Sequence, residues 1–156
     1  MTALHDTALT WLDEPRAYRS VRTRRVLSFV FDYTLVLLLC VPVYLVVTLL
    51  GVVTFGLGFL LYGVIFPLVA IPYVAFTMGG GAQATPGMRL FDLRIERLDG
   101  RKVDPALAVL HGVLFWAGNV LTSGFIVLLA LFTPRKQLVQ DLLLGTVVVR
   151  RPSRRG

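Results

Sequence analysis

One aspartate stands alone in a long apolar segment, seven residues after an arginine. Residues 26–50 are apolar almost throughout, and Asp32 is the only charged side chain among them. A carboxylate inside a bilayer costs on the order of 3 kcal/mol, so it should face protein or water and have a partner. Arg25 lies on the same helical face, because seven residues bring a helix back to within about 20°. The spacing predicts a buried acid–base pair, which would suit either helix packing or the binding of a proton or cation.

The apolar segments around this pair predict a membrane protein. Hydrophobic residues make up 56% of the 156 residues, more than an ordinary soluble domain contains. Residues 26–50 would extend about 37 Å as a helix, enough to cross a hydrocarbon core of about 30 Å. A second span is predicted at 59–76, and a third apolar region covers 104–134. The chain is long enough for one small membrane bundle without a separate soluble domain.

The third apolar region is interrupted midway by Gly118-Asn119 and by Thr122-Ser123-Gly124. We therefore expect two short helices there, at about 104–119 and 123–134, which turn back at the interruption. A single third span, which would put the C-terminus on the opposite side, remains the alternative. The expected fold is an all-α membrane protein. It would be a small transmembrane helical bundle of two full spans and a broken third region, with a short amphipathic loop segment at the interface.

The positive charges are confined to three segments. All sixteen Lys and Arg lie in 16–25, 89–102 and 135–155, and none lies in the predicted outer turn at 51–58. The positive-inside rule therefore places both termini in the cytoplasm. The predicted organisation is a cytoplasmic lead at 1–25, a transmembrane domain at 26–150 and a basic tail at 151–156. This placement explains the net charge of +7 without a nucleic-acid partner, and it predicts contact with anionic lipid at the cytoplasmic face.

Two segments near the predicted cytoplasmic face have the pattern of strands. Residues 93–97 alternate apolar and charged side chains, and Asp99-Gly100 follows as a turn signal. The valines at 147–149 would run extended after Gly145-Thr146. We hypothesise that the two segments pair as a small hairpin-like cap, in which case their backbone amides should not exchange freely.

Three pieces of the sequence, in this order, resemble the RDD family of small bacterial membrane proteins. They are Arg25 with Asp32, the segment from Ala84-Thr85-Pro86-Gly87 to Asp99-Gly100, and Gln140-Asp141 with the residues that follow up to Val149. The resemblance covers about residues 16–150, and it maps the arginine and two aspartates of the family's name onto Arg25, Asp32 and Asp141. It implies a location in the bacterial inner membrane. Transport is the activity usually suggested, with ion or proton exchange proposed for some members.

This chain departs from the family's usual pattern at three positions. Members often have a lysine where Met88 stands and a histidine where Gln140 stands. Many also have an arginine early in the third apolar region, where this chain has His111. Each change removes or weakens a positive group, which weighs against any activity that depends on those groups.

Arg25, Asp32 and Asp141 form the candidate charged network. In the structural interpretation, Arg25 bridges both carboxylates and fixes the packing of the helices. In the functional interpretation, the network is a proton- or cation-coupled site, since a desolvated carboxylate can titrate near neutral pH. The secondary polar candidates would either form hydrogen bonds between helices or line a polar path from Asp32; they are His111, Asn119 and Ser123.

The sequence does not indicate an enzyme. It has no Cys/His metal cluster, no nucleophile with a base at workable spacing and no phosphate loop, so we expect no catalytic, cofactor or metal site. Two functions remain open. One is a small transporter, oligomeric because so short a bundle has little room for a pathway. The other is an accessory protein that binds another membrane protein or anionic lipid, with a purely structural network. A watery cavity reaching Asp32 would favour the first, and a dry ion pair would favour the second.

Overall fold

The computed structural model describes Leu12, residues 15–121, Arg135 and residues 137–150 of the chain. Ser123, the second helix expected in the third apolar region and the basic tail lie outside the described residues, as does the side chain of Asn119.

The described part of the chain is mostly helical. The two 3₁₀ helices are Pro15–Tyr18 and Leu57–Leu61. The other elements, in chain order, are α1 (Val21–Val53), α2 (Tyr62–Met78), α3 (Pro86–Leu90), β1 (Leu93–Arg97), α4 (Pro105–Leu121), α5 (Val139–Leu144) and β2 (Thr146–Arg150).

Two helices are long and apolar enough to cross a membrane, as predicted. They are Val21–Val53, with 33 residues, and Leu57–Met78, with 22 residues and its first turns in 3₁₀ geometry. In the most apolar 18-residue stretch of each helix, only 22% and 6% of the residues are buried inside the protein. The core helix of a soluble protein would be mostly buried, whereas these helices turn large apolar side chains outward. Such a surface is suited to lipid and not to water.

The first helix extends beyond the predicted span at both ends. It begins at Val21, continues past Arg25 and Pro42, and ends at Val53, so Gly51 belongs to the helix and not to the following turn. Gly58 then packs directly against Gly51. A Cβ atom on Gly58 would lie 2.5 Å from the Gly51 nitrogen. The segment after α1 can therefore pack this closely against the end of α1 only with glycine at position 58.

The first half of the third apolar region is helical, as expected. Helix α4, described over Pro105–Leu121, continues through Gly118, where the interruption was predicted. Whether the chain then turns back lies outside the described residues.

The fold class needs one correction, because the described residues are not all helical. Strands β1 and β2 pair antiparallel, with Leu93 opposite Arg150 and Arg97 opposite Thr146. This pairing confirms the hypothesis that the two segments pair with each other. The all-α expectation was wrong here because it was drawn from the apolar segments, whereas the valine-rich β2 and the alternating β1 form a sheet outside them.

The sheet is buried on both faces. One face, with Leu93, Ile95 and Val148, packs against the helix ends at Val21 and Met78. The other face carries Val147 and Val149, and it is covered by the N-terminal segment. In that segment the Tyr18 hydroxyl donates a hydrogen bond to the Leu12 carbonyl at 2.7 Å. We call the 3₁₀ helix Pro15–Tyr18 together with α3, β1, α5 and β2 the cap.

Candidate functional site

Asp141 is the most deeply buried charge of the predicted network. It lies in the first turn of α5, and its side chain is 0% exposed. The Arg25 Nη1 atom donates to its Oδ2 at 2.7 Å, and the Leu138 backbone N–H donates to the same oxygen at 2.9 Å. The other oxygen lies 3.4 Å from the Thr146 hydroxyl and 3.6 Å from His111 Nε2. The carboxylate thus ties the start of α5 to both α1 and α4.

Arg25 comes from the second turn of α1 and is also largely removed from water. Its side chain is 16% exposed, so the ion pair with Asp141 is shielded at both ends. Removing one partner of such a pair is strongly destabilising, because the other partner stays buried without its compensating charge. This contact joins residues 116 positions apart.

Asp32 belongs to a second cluster, in which the hydrogen-bond donors found among the described residues are neutral groups. Its Oδ1 accepts from the Tyr73 hydroxyl at 2.6 Å and from the Gly87 backbone N–H at 2.7 Å. Its Oδ2 accepts from the Thr85 hydroxyl at 2.5 Å. Three donors aimed at one carboxylate replace the hydration that it loses in an apolar segment.

Each residue of the segment Thr85-Pro86-Gly87 has a property that suits the contact between α3 and Asp32. Thr85 caps α3 by accepting a hydrogen bond from the Met88 N–H, while its hydroxyl proton goes to Asp32. Pro86 occupies the first helical position, where no N–H is needed. Gly87 allows close approach, because a Cβ atom there would lie 2.6 Å from Asp32 Oδ2 and would also meet the Ser28 carbonyl.

The predicted network is therefore divided in two. Among the described residues, Arg25 pairs with Asp141, and Asp32 takes its hydrogen bonds from Tyr73, Thr85 and Gly87. The expectation that Arg25 bridges both carboxylates is not met by these contacts. Asp32 follows Arg25 by about 10 Å along α1, and the nearer donors on α2 and α3 take its oxygens.

His111, one of the secondary candidates, belongs to the Asp141 cluster. It is buried on α4, and its Nδ1 has no hydrogen-bond partner among the described residues. Both amide atoms of the buried Gln140 likewise lack a partner within that part of the chain. Buried polar groups are normally paired, so these atoms mark a site suited to water or to another polar group. Asn119 and Ser123 cannot be placed relative to it.

A third contact between α1 and the cap was not anticipated. The Arg24 Nη1 atom donates to the Phe91 carbonyl at 2.6 Å and lies 3.2 Å from Asp92 Oδ2. Adjacent residues on a helix point about 100° apart, so Arg24 and Arg25 reach different parts of the cap. The sequence signal was the Asp92 that follows the short apolar stretch after Pro86.

The three contacts all join α1 to other parts of the fold. Each joins α1 to the cap: Arg24 to the loop after α3, Arg25 to α5, and Asp32 to α3. In the part of the chain that the structure describes, no three His, Cys, Asp or Glu residues gather as a metal site. A shallow groove of about 500 Å³ between α2 and α4 has apolar walls and includes neither aspartate.

Two long helices in the described part of the chain expose large apolar side chains along their length. This surface defines a membrane-type protein. The sequence profile of the RDD family matches residues 19–145, and the chain belongs to that family. No curated protein and no solved structure matches the chain.

Proposed function

We propose that this RDD-family chain is a multi-pass protein of the bacterial inner membrane with both termini in the cytoplasm. The confinement of Lys and Arg to 16–25, 89–102 and 135–155 supports this orientation. A fluorescent protein fused to the C-terminus should fluoresce, and a periplasmic alkaline phosphatase fused there should be inactive. Active phosphatase at that position would contradict the orientation.

Within that membrane, the proposed role is that of an accessory protein which binds anionic lipid, or a membrane partner, through its basic cytoplasmic face. The observation that carries this proposal is the engagement of the charged network by the protein itself. Asp32 is satisfied by three donors, and Asp141 is neutralised by Arg25. Because these charges are engaged in contacts that hold the cap, they support a structural role. Exposed basic groups outside the network, such as Arg89, are then the candidates for binding lipid or a partner.

Anionic-lipid binding can be measured as a shift in thermal stability in detergent. Phosphatidylglycerol at about 100 times its dissociation constant would add about 2.7 kcal/mol, whereas phosphatidylcholine should add little. Arg89→Gln should reduce the response to phosphatidylglycerol more than the charge-matched Arg101→Gln, since both side chains are exposed but only Arg89 lies on the short helix packed beside α1. Equal responses to the two lipids would contradict the lipid role.

Ion- or proton-coupled transport is the second candidate, and it is favoured by the polar atoms of His111 and Gln140 that have no hydrogen-bond partner among the described residues. A hydrated path at that position would place water beside an ionisable carboxylate within the membrane bundle. The test is proton flux into vesicles after a sodium or potassium gradient is imposed. Flux that is lost in Asp141→Asn, but kept in the exposed variant Asp92→Asn, would support transport over the accessory role. No flux above that of empty vesicles would exclude it.

A further inference from the structure

Helix α3 lies beside the membrane helices and not beyond their ends. Its Gly87 bonds to Asp32, which also bonds to Tyr73 on α2. Tyr73 precedes the end of α2 at Met78 by five residues, so this contact lies about 7 Å inside the end of that helix. At this level α2 is still an apolar helix with outward-facing side chains.

Helix α5 contacts α4, and it does so away from the end of that helix. Its Asp141 approaches His111, which follows the start of α4 at Pro105 by six residues. The contact therefore lies about 9 Å inside the end of α4. Leu110 and Val113 expose apolar surface on α4 at nearly the same level.

Both short helices turn leucines away from the protein. Leu90 on α3 is 60% exposed, and Leu142 and Leu143 on α5 are 54% and 67% exposed. Their opposite sides are buried: Met88 packs in the core, and Gln140 and Asp141 face inward. The outward leucines add to the exposed apolar surface of the protein, and the exposed Arg89 precedes Leu90 in the chain.

We infer that α3 and α5 are interfacial helices, and that Leu90, Leu142 and Leu143 insert into the cytoplasmic leaflet at the boundary of headgroups and acyl chains. The inference rests on the proposed orientation for the choice of leaflet. Amphipathic helices typically sink about 5–10 Å into this boundary, which agrees with the levels at which α3 and α5 contact the bundle. Arg89 would then place its stem beside Leu90 and its guanidinium at the lipid phosphates.

The test is quenching of tryptophan fluorescence by brominated acyl chains. Trp11 and Trp116 are replaced by phenylalanine, and a single tryptophan is introduced by Leu143→Trp or, as the control, by Arg101→Trp at the exposed turn after β1. The protein is reconstituted into vesicles of brominated phosphatidylcholine. We expect about twofold or greater quenching at position 143 and little at position 101. Equal quenching at the two positions would overturn the inference.

A second measurement covers the case in which the tryptophan variant does not fold. In a Cys40→Ala background, Leu143→Cys and Arg101→Cys are exposed to a water-soluble maleimide in permeabilised vesicles. Position 143 should react about tenfold or more slowly than position 101 in vesicles, because the leucine site is in lipid. Equal rates would overturn the inference.

The two proposals fail in different ways. Brominated phosphatidylcholine carries no net charge, so quenching reports insertion of the leucines whether or not the cap prefers anionic headgroups. If position 143 is quenched but phosphatidylglycerol stabilises the protein no more than phosphatidylcholine does, only the lipid-binding role is refuted. If phosphatidylglycerol stabilises the protein but position 143 is not quenched, only the insertion is refuted.

Discussion

Arg25 and Asp141 carry opposite charges that are largely removed from water, and each depends on the other for compensation. Asp141→Asn would remove the charge while preserving shape and some hydrogen bonding. We expect it to lower the free energy of unfolding by about 3 kcal/mol, because the buried guanidinium loses the carboxylate that compensates its charge. The measurement is unfolding by SDS titration from mild detergent micelles.

Asp92→Asn is the matched control for that variant. Asp92 also pairs with an arginine of α1, but its side chain is 61% exposed. Solvent screens such pairs, so the expected loss is about 0–1 kcal/mol. A loss as large as that of Asp141→Asn would mean that burial does not decide the strength of these contacts.

Gly87 is the second residue at which a small change should have a large effect. Gly87→Ala would place a Cβ atom against Asp32 and the Ser28 carbonyl, and the hydrogen bond from the Gly87 N–H would have to lengthen. We expect a loss of about 1–3 kcal/mol in the same unfolding measurement. Gly63→Ala in α2 is the control, because its Cβ would meet nothing within 4 Å and alanine favours a helix. If both variants were equally stable, the close approach at Gly87 would be unimportant.

The residues of the candidate site could be predicted only where they carry charge. The arginine and the two aspartates were found because a charge in an apolar segment is conspicuous, and because they match the family's pattern. The donors to Asp32 were missed. Two of them are the hydroxyl groups of Tyr73 and Thr85, and the third is the backbone N–H of Gly87. Any residue type but proline supplies an N–H, so composition does not reveal which one will face a carboxylate.

At the scale of elements, hydropathy located the membrane helices but not their ends. Helix α1 starts five residues before the apolar run, because arginines are good helix formers and nothing in 21–25 breaks a helix. Gly118 likewise does not end α4, since a single glycine costs only about 1 kcal/mol. Hydropathy reports which residues can face lipid, whereas helix ends depend on caps and turns.

The two-stranded sheet should be visible in amide hydrogen exchange. Because the N–H groups at 94, 96, 147 and 149 face the partner strand, these amides should exchange about 100-fold or more slowly than those of the exposed turn segment at 100–102. Mass spectrometry of proteolytic fragments from protein in nanodiscs would measure this. Val147→Pro, which removes an N–H that faces Glu96 on β1 and so disturbs the pairing, should raise exchange in both strands. Exchange as fast as that of the turn would mean that the sheet does not persist.

At the scale of the whole molecule, the cap and the membrane helices are held by different forces. Lipid favours the apolar helices, whereas the cap depends on its own small core and on its contacts with α1. Tyr18→Ala would remove a buried ring from the cover of Val147 and Val149. We expect trypsin to cleave at Arg97 or Arg101 at least about threefold faster, with helical content unchanged by circular dichroism.

The neighbouring Arg19 provides the control for that experiment. Its side chain is exposed, so Arg19→Ala should leave the rate of cleavage at Arg97 and Arg101 unchanged. If Tyr18→Ala also left the rate unchanged, the N-terminal segment would not contribute to the stability of the cap. The sequence could not predict this contribution, because Tyr18 and Val149 meet only through the fold.

The separation of 116 residues between Arg25 and Asp141 also has a consequence during synthesis. At about 5–20 residues per second, the arginine leaves the ribosome roughly 6–23 s before its carboxylate. For that time the first helix meets the bilayer with a guanidinium that lacks the carboxylate of Asp141. A chain truncated before residue 141 would keep that charge uncompensated for its whole lifetime. An incomplete product therefore differs in charge from a finished one at the membrane surface.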